Sequence, residues 1–128
     1  MTSPESPDRA QIETAIQTYF DGLYDGDASK LASVFHETSS LTFEQQGNAV
    51  AWPLETWLKM VRERPSPRSK GLARDDAILM MDQSSATTAF VKVKCQTPPL
   101  YFTDYLCLVK SAGTWRIVQK VFTTVVRK

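Results

Sequence analysis

The sequence predicts an α+β fold, with helices concentrated in the first half of the chain and an antiparallel sheet in the second. Between residues 8 and 24, apolar side chains such as Ile12, Ile16 and Leu23 recur at helical spacing. Between residues 73 and 127, runs rich in apolar and β-branched residues are separated by short turn sequences, which is typical of a meander. Helices and strands that are segregated in this way favour an α+β protein over an alternating α/β one.

Three helices are expected. Ser6-Pro7 resembles a helix start, because proline fits the first turn, and the first helix runs to about Tyr24. Asp27 is expected to cap a short second helix that His36 closes. Pro53 opens a third helix whose apolar stripe consists of Leu54, Trp57, Leu58 and Val61.

The predicted strands are Ser40–Glu44, Ala73–Asp82, Ala86–Gln96, Leu100–Lys110 and Thr114–Arg127. Turns at 82–85, Pro98-Pro99 and 111–113 join the last four strands into hairpins. The predicted order is therefore α-α-β-α-β-β-β-β, with the three helices covering one face of a bent sheet.

The last hairpin carries the most informative pair of residues, Asp104 and Lys120. A three-residue loop, Ser111-Ala112-Gly113, pairs Lys110 with Thr114 and places Asp104 opposite Lys120. A carboxylate among apolar neighbours is costly unless it is paired or used. The pair therefore indicates either a pocket or a structural cross-strand ion pair, and a slip of one residue would abolish it.

The two faces of this hairpin are both apolar. The residues expected beside Asp104 and Lys120 are Phe102, Leu106, Leu108, Val118 and Phe122. The opposite face would carry Tyr101, Tyr105, Cys107, Val109, Trp115, Ile117 and Val121. Because that second face is too apolar for a solvated surface, we expect a homodimer that packs sheet against sheet.

Length and composition fit one globular domain, residues 8–128, after a disordered tail at residues 1–7. The chain has 128 residues, of which 42% are hydrophobic, and this argues against global disorder. The net charge of +1 offers no field for nucleic acid or an anionic membrane. The N-terminus is polar and lacks a signal sequence, so a cytoplasmic location is expected.

Cysteine and histidine usage predicts neither a disulfide nor a metal site. The hairpin around Pro98-Pro99 would place Cys95 beside Phe102 and Cys107 beside Phe90, which keeps the two thiols apart. We therefore expect two free buried thiols. One histidine and two separated cysteines cannot form a zinc site, and no phosphate-binding loop or nucleophile elbow is present, so no cofactor is predicted.

A set of short motifs resembles the putative lumazine-binding family of the nuclear transport factor 2-like superfamily. The motifs are Tyr19-Phe20-Asp21-Gly22, Gly26-Asp27, Leu31, Phe35-His36, Phe102-Thr103-Asp104-Tyr105-Leu106 and Trp115-Arg116-Ile117-Val118-Gln119-Lys120. The resemblance spans roughly residues 8 to 126. It implies a cystatin-like cone, in which the three N-terminal helices pack on a strongly curved antiparallel sheet around a cavity.

The superfamily includes ketosteroid isomerases, polyketide cyclases and limonene-epoxide hydrolases, and the resemblance to the isomerases implies three site residues. Tyr19 lies where the isomerases carry an oxyanion-hole tyrosine, and Glu44 lies near their general base. Asp104 lies near their protonated aspartic acid. This chain departs from the pattern, because Glu44 replaces aspartate and a paired Asp104 would be ionised and unable to donate to an oxyanion.

Other candidates have a structural alternative. His36, the only imidazole, is either a general base or a cation at a helix C-terminus. Trp52 and Trp57 either flank a cavity mouth or belong to the core. The basic run Arg62, Arg64, Arg68 and Lys70 either meets an anionic ligand or is a solvated loop.

The leading hypothesis is a homodimer that binds a small hydrophobic or aromatic molecule between helices and sheet. Asp104 and Lys120 would orient the polar end of that molecule, near Tyr19 and His36. Phe102, Phe122, Trp52, Trp57 and Glu44 would line the cavity. One alternative is an enzyme of isomerase, cyclase or hydratase type that uses the same cavity for proton transfer, with Asp104, His36 and Tyr19 as its catalytic residues. Another is a structural dimerisation domain.

Overall fold

The structure, a computed structural model, describes residues 7–127. Its elements are α1 Pro7–Asp25, α2 Ala28–Val34, β1 Phe35–Gln45, β2 Asn48–Pro53, α3 Leu54–Glu63, β3 Ala77–Gln83, β4 Thr88–Thr97, β5 Leu100–Ser111 and β6 Thr114–Val126. The predicted α+β class and its three helices are confirmed. The predicted tail lies outside the described residues, except for Pro7, which begins α1. None of the helices in this range has the length and apolar character needed to cross a membrane.

The strands form one sheet in the order β2-β1-β6-β5-β4-β3. Every pair is antiparallel except β1 with β6, which is parallel. Register shifts interrupt three of the pairs, and such bulges bend a sheet and increase its twist. The buried stripes of the helices and the inward residues of the strands form one core.

The helix boundaries follow local chemistry, with one correction. Asp27 caps α2 as expected, because its carboxylate accepts a hydrogen bond from the backbone N–H of Lys30 at 3.0 Å. However, α2 ends at Val34, and His36 lies in β1 instead of closing the helix. The chain turns directly from α2 into the strand, because Phe35 already has extended backbone angles.

Strand β2 was not predicted from the sequence. Residues 48–53 pair with β1 along their whole length, through a tight turn at Gln46-Gly47 in which both residues have positive φ angles, 52° and 86°. A turn with two positive φ angles suits the right-handed twist of a hairpin. The strand gives little signal in the sequence because it is short and ends at Pro53, a residue that was interpreted as the start of a helix.

The β5–β6 hairpin differs from the prediction in two ways. Its loop is the two-residue turn Ala112-Gly113, with φ angles of 51° and 78°, so Ser111 pairs with Thr114. Further along, Leu108 pairs with Ile117 but Cys107 pairs with Gln119, which leaves Val118 as an extra, bulged residue. Asp104 therefore lies opposite Phe122, and Lys120 lies opposite Leu106; the predicted direct pairing of Asp104 with Lys120 is wrong.

The shorter turn and the bulge each shift the pairing of β6 by one residue, so beyond the bulge its side chains return to the faces that were predicted. The shorter turn moves the first half of β6 by one position, so Trp115 and Ile117 are buried at 4% and 0% exposure instead of facing outward as predicted. The bulge shifts the register by one more residue, so Lys120 and Phe122 again share the inner face with Asp104. The predicted outer-face positions of Tyr105 and Val121 are confirmed, at 42% and 46% exposure.

Candidate functional site

A cavity of about 390 Å³ lies between the helices and the inner face of the sheet. Its volume is within the range of sites that hold small organic ligands. Its lining residues are Phe20, Leu23, Tyr24, Phe43, Trp52, Trp57, Arg64, Pro65, Pro67, Lys70, Arg74, Asp76, Cys95, Gln96, Thr97, Leu100, Phe102, Asp104, Lys120, Phe122 and Thr124. The lining therefore combines aromatic walls with a small number of charged groups.

Asp104 is the buried carboxylate of the site, with 1% exposure. The Tyr19 hydroxyl donates to its Oδ2 at 2.5 Å, a distance typical of a phenol bonded to a carboxylate. The Cys95 thiol is a weaker donor to the same oxygen at 3.8 Å. Its other oxygen, Oδ1, is buried and accepts no hydrogen bond from the residues that the structure describes. Such an unsatisfied acceptor is costly, and a ligand or water that donates to it would remove the cost.

Tyr19 holds the Asp104 carboxylate by a hydrogen bond but is not one of the residues that line the cavity. Its side chain is fully buried, with 0% exposure. The centroid of its ring lies 5.9 Å from that of Phe20 and 5.8 Å from that of Phe35. Burial, and then the negative charge of Asp104, raise the pKa of the Tyr19 phenol well above its usual value. The hydroxyl thus stays protonated and is committed to Asp104, so the geometry gives it a positioning role instead of a direct oxyanion contact.

Lys120 is a buried cation, with 6% exposure, and it lines the cavity. Its Nζ lies 4.6 Å from the ring centroid of Trp57 and 4.9 Å from that of Phe122. Within residues 7–127, no ion pair includes Lys120. The expected ion pair with Asp104 is therefore not formed, and the aromatic faces stabilise the ammonium instead.

Four aromatic side chains form the wall of the cavity that β1, β2, β5 and β6 provide. Phe43 packs edge-on against Trp52, with centroids 4.7 Å apart, and lies 5.1 Å from Phe122. Phe102 completes the group at 6.5 Å from Phe122. Of these, Phe102, Phe122 and Trp52 lie where the sequence analysis expected cavity-lining residues, as does Trp57. An aromatic wall of this kind suits a flat ligand.

His36 and Glu44 are not brought to this cavity. His36 is half-buried, and its Nδ1 atom lies 2.7 Å from the hydroxyl of the exposed Thr38. The Glu44 carboxylate accepts a hydrogen bond from the backbone N–H of Gly47 at 2.6 Å, which secures the β1–β2 turn. The expected proximity of His36 to the Asp104 site is thus corrected, because the α2–β1 junction carries the imidazole to the surface.

Several lining residues were missed by the sequence analysis as functional candidates. Phe20, Leu23 and Tyr24 follow the helical stripe of α1, but core and cavity residues give the same apolar signal. Arg74 and Asp76 form an ion pair at 2.9 Å beside the cavity. Both were expected inside the predicted strand Ala73–Asp82, whereas β3 begins only at Ala77, so their place at the cavity gave no signal in the sequence.

The two cysteines are free, as predicted, but only Cys95 is shielded. Cys95 pairs with Phe102 and Cys107 pairs with Phe90, so the predicted β4–β5 register is confirmed. Burial, and then the negative charge of Asp104, raise the pKa of the Cys95 thiol. Cys107 is exposed on the outer face, so its predicted burial is wrong.

Among residues 7–127, histidine, cysteine and carboxylate side chains form no group of three or more that could hold a metal ion. The charged side chains that line the cavity are Asp104, Lys120, Arg64, Lys70, Arg74 and Asp76.

Solved structures with the same fold have low sequence identity to this chain. An NTF-2 like protein of unknown function from Silicibacter pomeroyi is 22% identical, with a TM-score of 0.82, and the match covers 98% of this chain and 100% of that one. A ketosteroid isomerase-like protein from Erwinia carotovora atroseptica is 16% identical, with a TM-score of 0.74 and coverage of 95% and 99%. A Nostoc punctiforme domain of unknown function with a cystatin-like fold is 15% identical, with a TM-score of 0.74 and coverage of 98% and 81%.

These likenesses establish the fold, which confirms the expected cystatin-like, NTF2-like architecture. A search of curated proteins finds no significant match. The family model described as putative lumazine-binding matches residues 7–123, which is nearly the whole described chain. The chain therefore belongs to the putative lumazine-binding family, within the NTF2-like fold.

Proposed function

We propose that this protein binds a small, flat, largely apolar molecule in the cavity between its helices and its sheet. The observation that carries the proposal is the aromatic wall closed at its inner end by two charged groups, Asp104 and Lys120, neither of which has a full set of partners. Membership of a family described as lumazine-binding supports a small-molecule ligand.

The polar end of the ligand is expected to face Asp104 and Lys120. Asp104 Oδ1 lacks a donor, and Lys120 contacts aromatic rings but no carboxylate of the described residues. A ligand that carries a hydrogen-bond donor and an acceptor on the same edge would satisfy both residues, because the donor would face Asp104 and the acceptor would face Lys120. The apolar body would then lie against Phe43, Trp52 and Phe122, where its burial supplies most of the binding free energy.

Protection of the Cys95 thiol tests whether the cavity is occupied. The variant Cys107→Ser leaves Cys95 as the only thiol of the chain. Because the thiolate is the nucleophile and the pKa of Cys95 is raised, alkylation should be slow at neutral pH and accelerate as the pH rises. We expect the neutral apolar dye N-phenyl-1-naphthylamine to slow this alkylation and to raise the Tm, as mass action requires of a ligand that binds the folded state.

The reciprocal variant, Cys95→Ser, provides the control. Its remaining thiol, Cys107, lies on the outer face, so the dye should leave its alkylation rate unchanged. Equal protection of both thiols, or protection of neither at saturating dye, would contradict the proposed binding function.

An enzymatic function is the second candidate, and the position of Asp104 favours it. The carboxylate lines the cavity, is held in place by Tyr19, and has one oxygen that accepts no hydrogen bond from the described residues, so it could accept a proton from a bound substrate. Under this hypothesis Asp104→Asn abolishes turnover of a substrate that the folded variant still binds. The similarity to a ketosteroid isomerase-like protein supports a proton-transfer reaction only at the level of the fold.

We also propose that two copies associate through the outer face of the sheet. Tyr105, Val121 and Val125 are exposed there at 42%, 46% and 45%, on the adjacent strands β5 and β6. Such a contiguous apolar surface favours association between copies. Cys107 lies exposed on the same face of the sheet, and its thiol is free. A free exposed thiol fits a reducing, cytoplasmic location.

Introducing a charge on that surface should separate the copies. We expect Val121→Arg to convert a dimer into a monomer, because two buried guanidinium groups would face one another across a symmetric interface. Sedimentation velocity measures the change. Gln11→Arg, which adds the same charge on the exposed side of α1, should remain dimeric, and a monomeric unmodified chain would refute the proposed association.

A further inference from the structure

The charged residues that line the cavity divide into two classes, those that have an ion-pair partner and those that do not. Arg74 is paired twice, with Asp21 at 2.7 Å and with Asp76 at 2.9 Å. Within residues 7–127, the ion pairs do not include Arg64, Lys70 or Lys120. Of the lining carboxylates, Asp76 pairs with Arg74, whereas Asp104 accepts a hydrogen bond from the neutral Tyr19 hydroxyl and has no ion-pair partner among the described residues. The lining charges without an ion-pair partner are thus three cations, Arg64, Lys70 and Lys120, and one carboxylate, Asp104, so their sum is positive.

The basic run that begins in the last turn of α3 and continues into the following loop shows the same division. Of its four basic residues, Arg62 pairs with Glu55 at 3.3 Å and Arg68 pairs with Asp25 at 2.7 Å, and neither lines the cavity. The other two, Arg64 and Lys70, line the cavity and are exposed at its mouth. A solvated loop with no function would give no reason for the unpaired cations to be the ones that face the cavity.

The surroundings of Arg64 strengthen the case for an anionic partner. Its side chain is exposed by surface area, yet the protein atoms around its guanidinium lower its pKa by desolvation. An incoming anion would supply the countercharge that the chain does not provide there. Guanidinium is suited to this role, because its donors match the oxygens of carboxylates, sulfonates and phosphates.

We infer that the ligand is an amphiphilic organic anion, whose apolar body fills the aromatic cavity and whose charged group lies at the mouth between Arg64 and Lys70. The inner end of the cavity is a poorer place for the anion, because the buried Asp104 carboxylate also lines it and would repel a second negative charge. This inference rests on the proposed binding function and adds the chemical class of the ligand.

Two dyes that share one skeleton test the inference. N-phenyl-1-naphthylamine is neutral, and 8-anilino-1-naphthalenesulfonate is the same skeleton with a sulfonate. In the double variant Arg64→Gln/Lys70→Gln, we expect the sulfonate dye to bind about 5- to 10-fold more weakly, as the loss of two partly shielded ion pairs implies, while the neutral dye is unaffected. The affinity of the sulfonate dye for the original protein should also fall as salt is added.

The matched control is Arg62→Gln/Arg68→Gln, which removes the same charge from the same basic run but from residues that already have partners. Dye affinity in this variant should stay within about 2-fold of the original. Equal losses in the two double variants, or equal losses of both dyes in the Arg64/Lys70 variant, would overturn the anion assignment. If neither dye protects Cys95 from alkylation, the proposed binding function itself fails, whereas protection by both dyes without discrimination overturns only the assignment of charge.

Discussion

Replacing Tyr19 with phenylalanine is expected to lower the free energy of unfolding by about 2–3 kcal/mol, although it removes a single oxygen atom. The hydroxyl is the strong donor to Asp104 Oδ2, at 2.5 Å, and the other carboxylate oxygen already lacks a donor among the described residues. The variant would therefore leave a buried carboxylate with only the weak thiol donor of Cys95. Urea denaturation monitored by circular dichroism measures the loss.

Tyr24→Phe provides the matched control on the same helix. Its hydroxyl donates to the backbone carbonyl of Leu72 at 2.9 Å in a partly buried setting, so water can replace the lost donor and the cost should be about 1 kcal/mol or less. In a double-mutant cycle, Asp104→Asn should remove most of the difference between tyrosine and phenylalanine at position 19. Equal costs for Tyr19→Phe and Tyr24→Phe would show that the Tyr19–Asp104 bond does not stabilise the site.

Phe35→Ala is expected to have the largest effect on stability, about 3–5 kcal/mol. Phe35 is 2% exposed and connects two parts of the core, since its ring lies 5.8 Å from that of Tyr19 and 5.4 Å from that of Trp57. Domains are commonly stable by about 5–15 kcal/mol, so this change removes a large share of the total. The midpoint of urea unfolding should fall accordingly.

The comparison variant Phe122→Ala tests whether a residue of the cavity wall contributes less to stability than a residue of the core. Phe122 is only partly buried and faces the cavity, so its truncation removes fewer contacts and should cost about half as much as that of Phe35. It should also weaken the binding of N-phenyl-1-naphthylamine, because its ring forms part of the aromatic wall. If both variants lose the same stability, the space beside Phe122 is packed in solution and is not a ligand cavity.

The sequence allowed the fold to be predicted because its periodic segments are long. The stripe of α1 and the pairing of Cys95 with Phe102 were both deduced from spacing, since a wrong period or register would have exposed apolar residues. Strand β2 was missed because six residues ending in Pro53 give little periodic signal.

The candidate site could be predicted only in part. Asp104, Lys120 and Phe122 stood out as a mixture of charge and apolar side chains on one face, and the structure places all three at the cavity. Their partners could not be deduced, because contacts such as Tyr19 with Asp104 join residues 85 positions apart. Arg64 and Lys70 were indistinguishable from Arg62 and Arg68, because the ion pairs that separate them depend on tertiary structure.

The extra residue in β6, Val118, has a consequence for how this family can change by insertion and deletion. If Val118 took part in regular pairing instead of forming a bulge, it would lie opposite Cys107, and from there on Val121 would face the cavity while Lys120 would face the opposite side of the sheet. Deleting Val118 would instead make Leu108–Ile117 and Cys107–Gln119 consecutive regular pairs, so Trp115, Ile117 and Lys120 would all stay on the inner face and only the local bend of the bulge would be lost. A sequence alignment with a relative whose strand lacks the bulge therefore needs a gap at Val118, because without that gap the inner and outer positions that follow it would be exchanged.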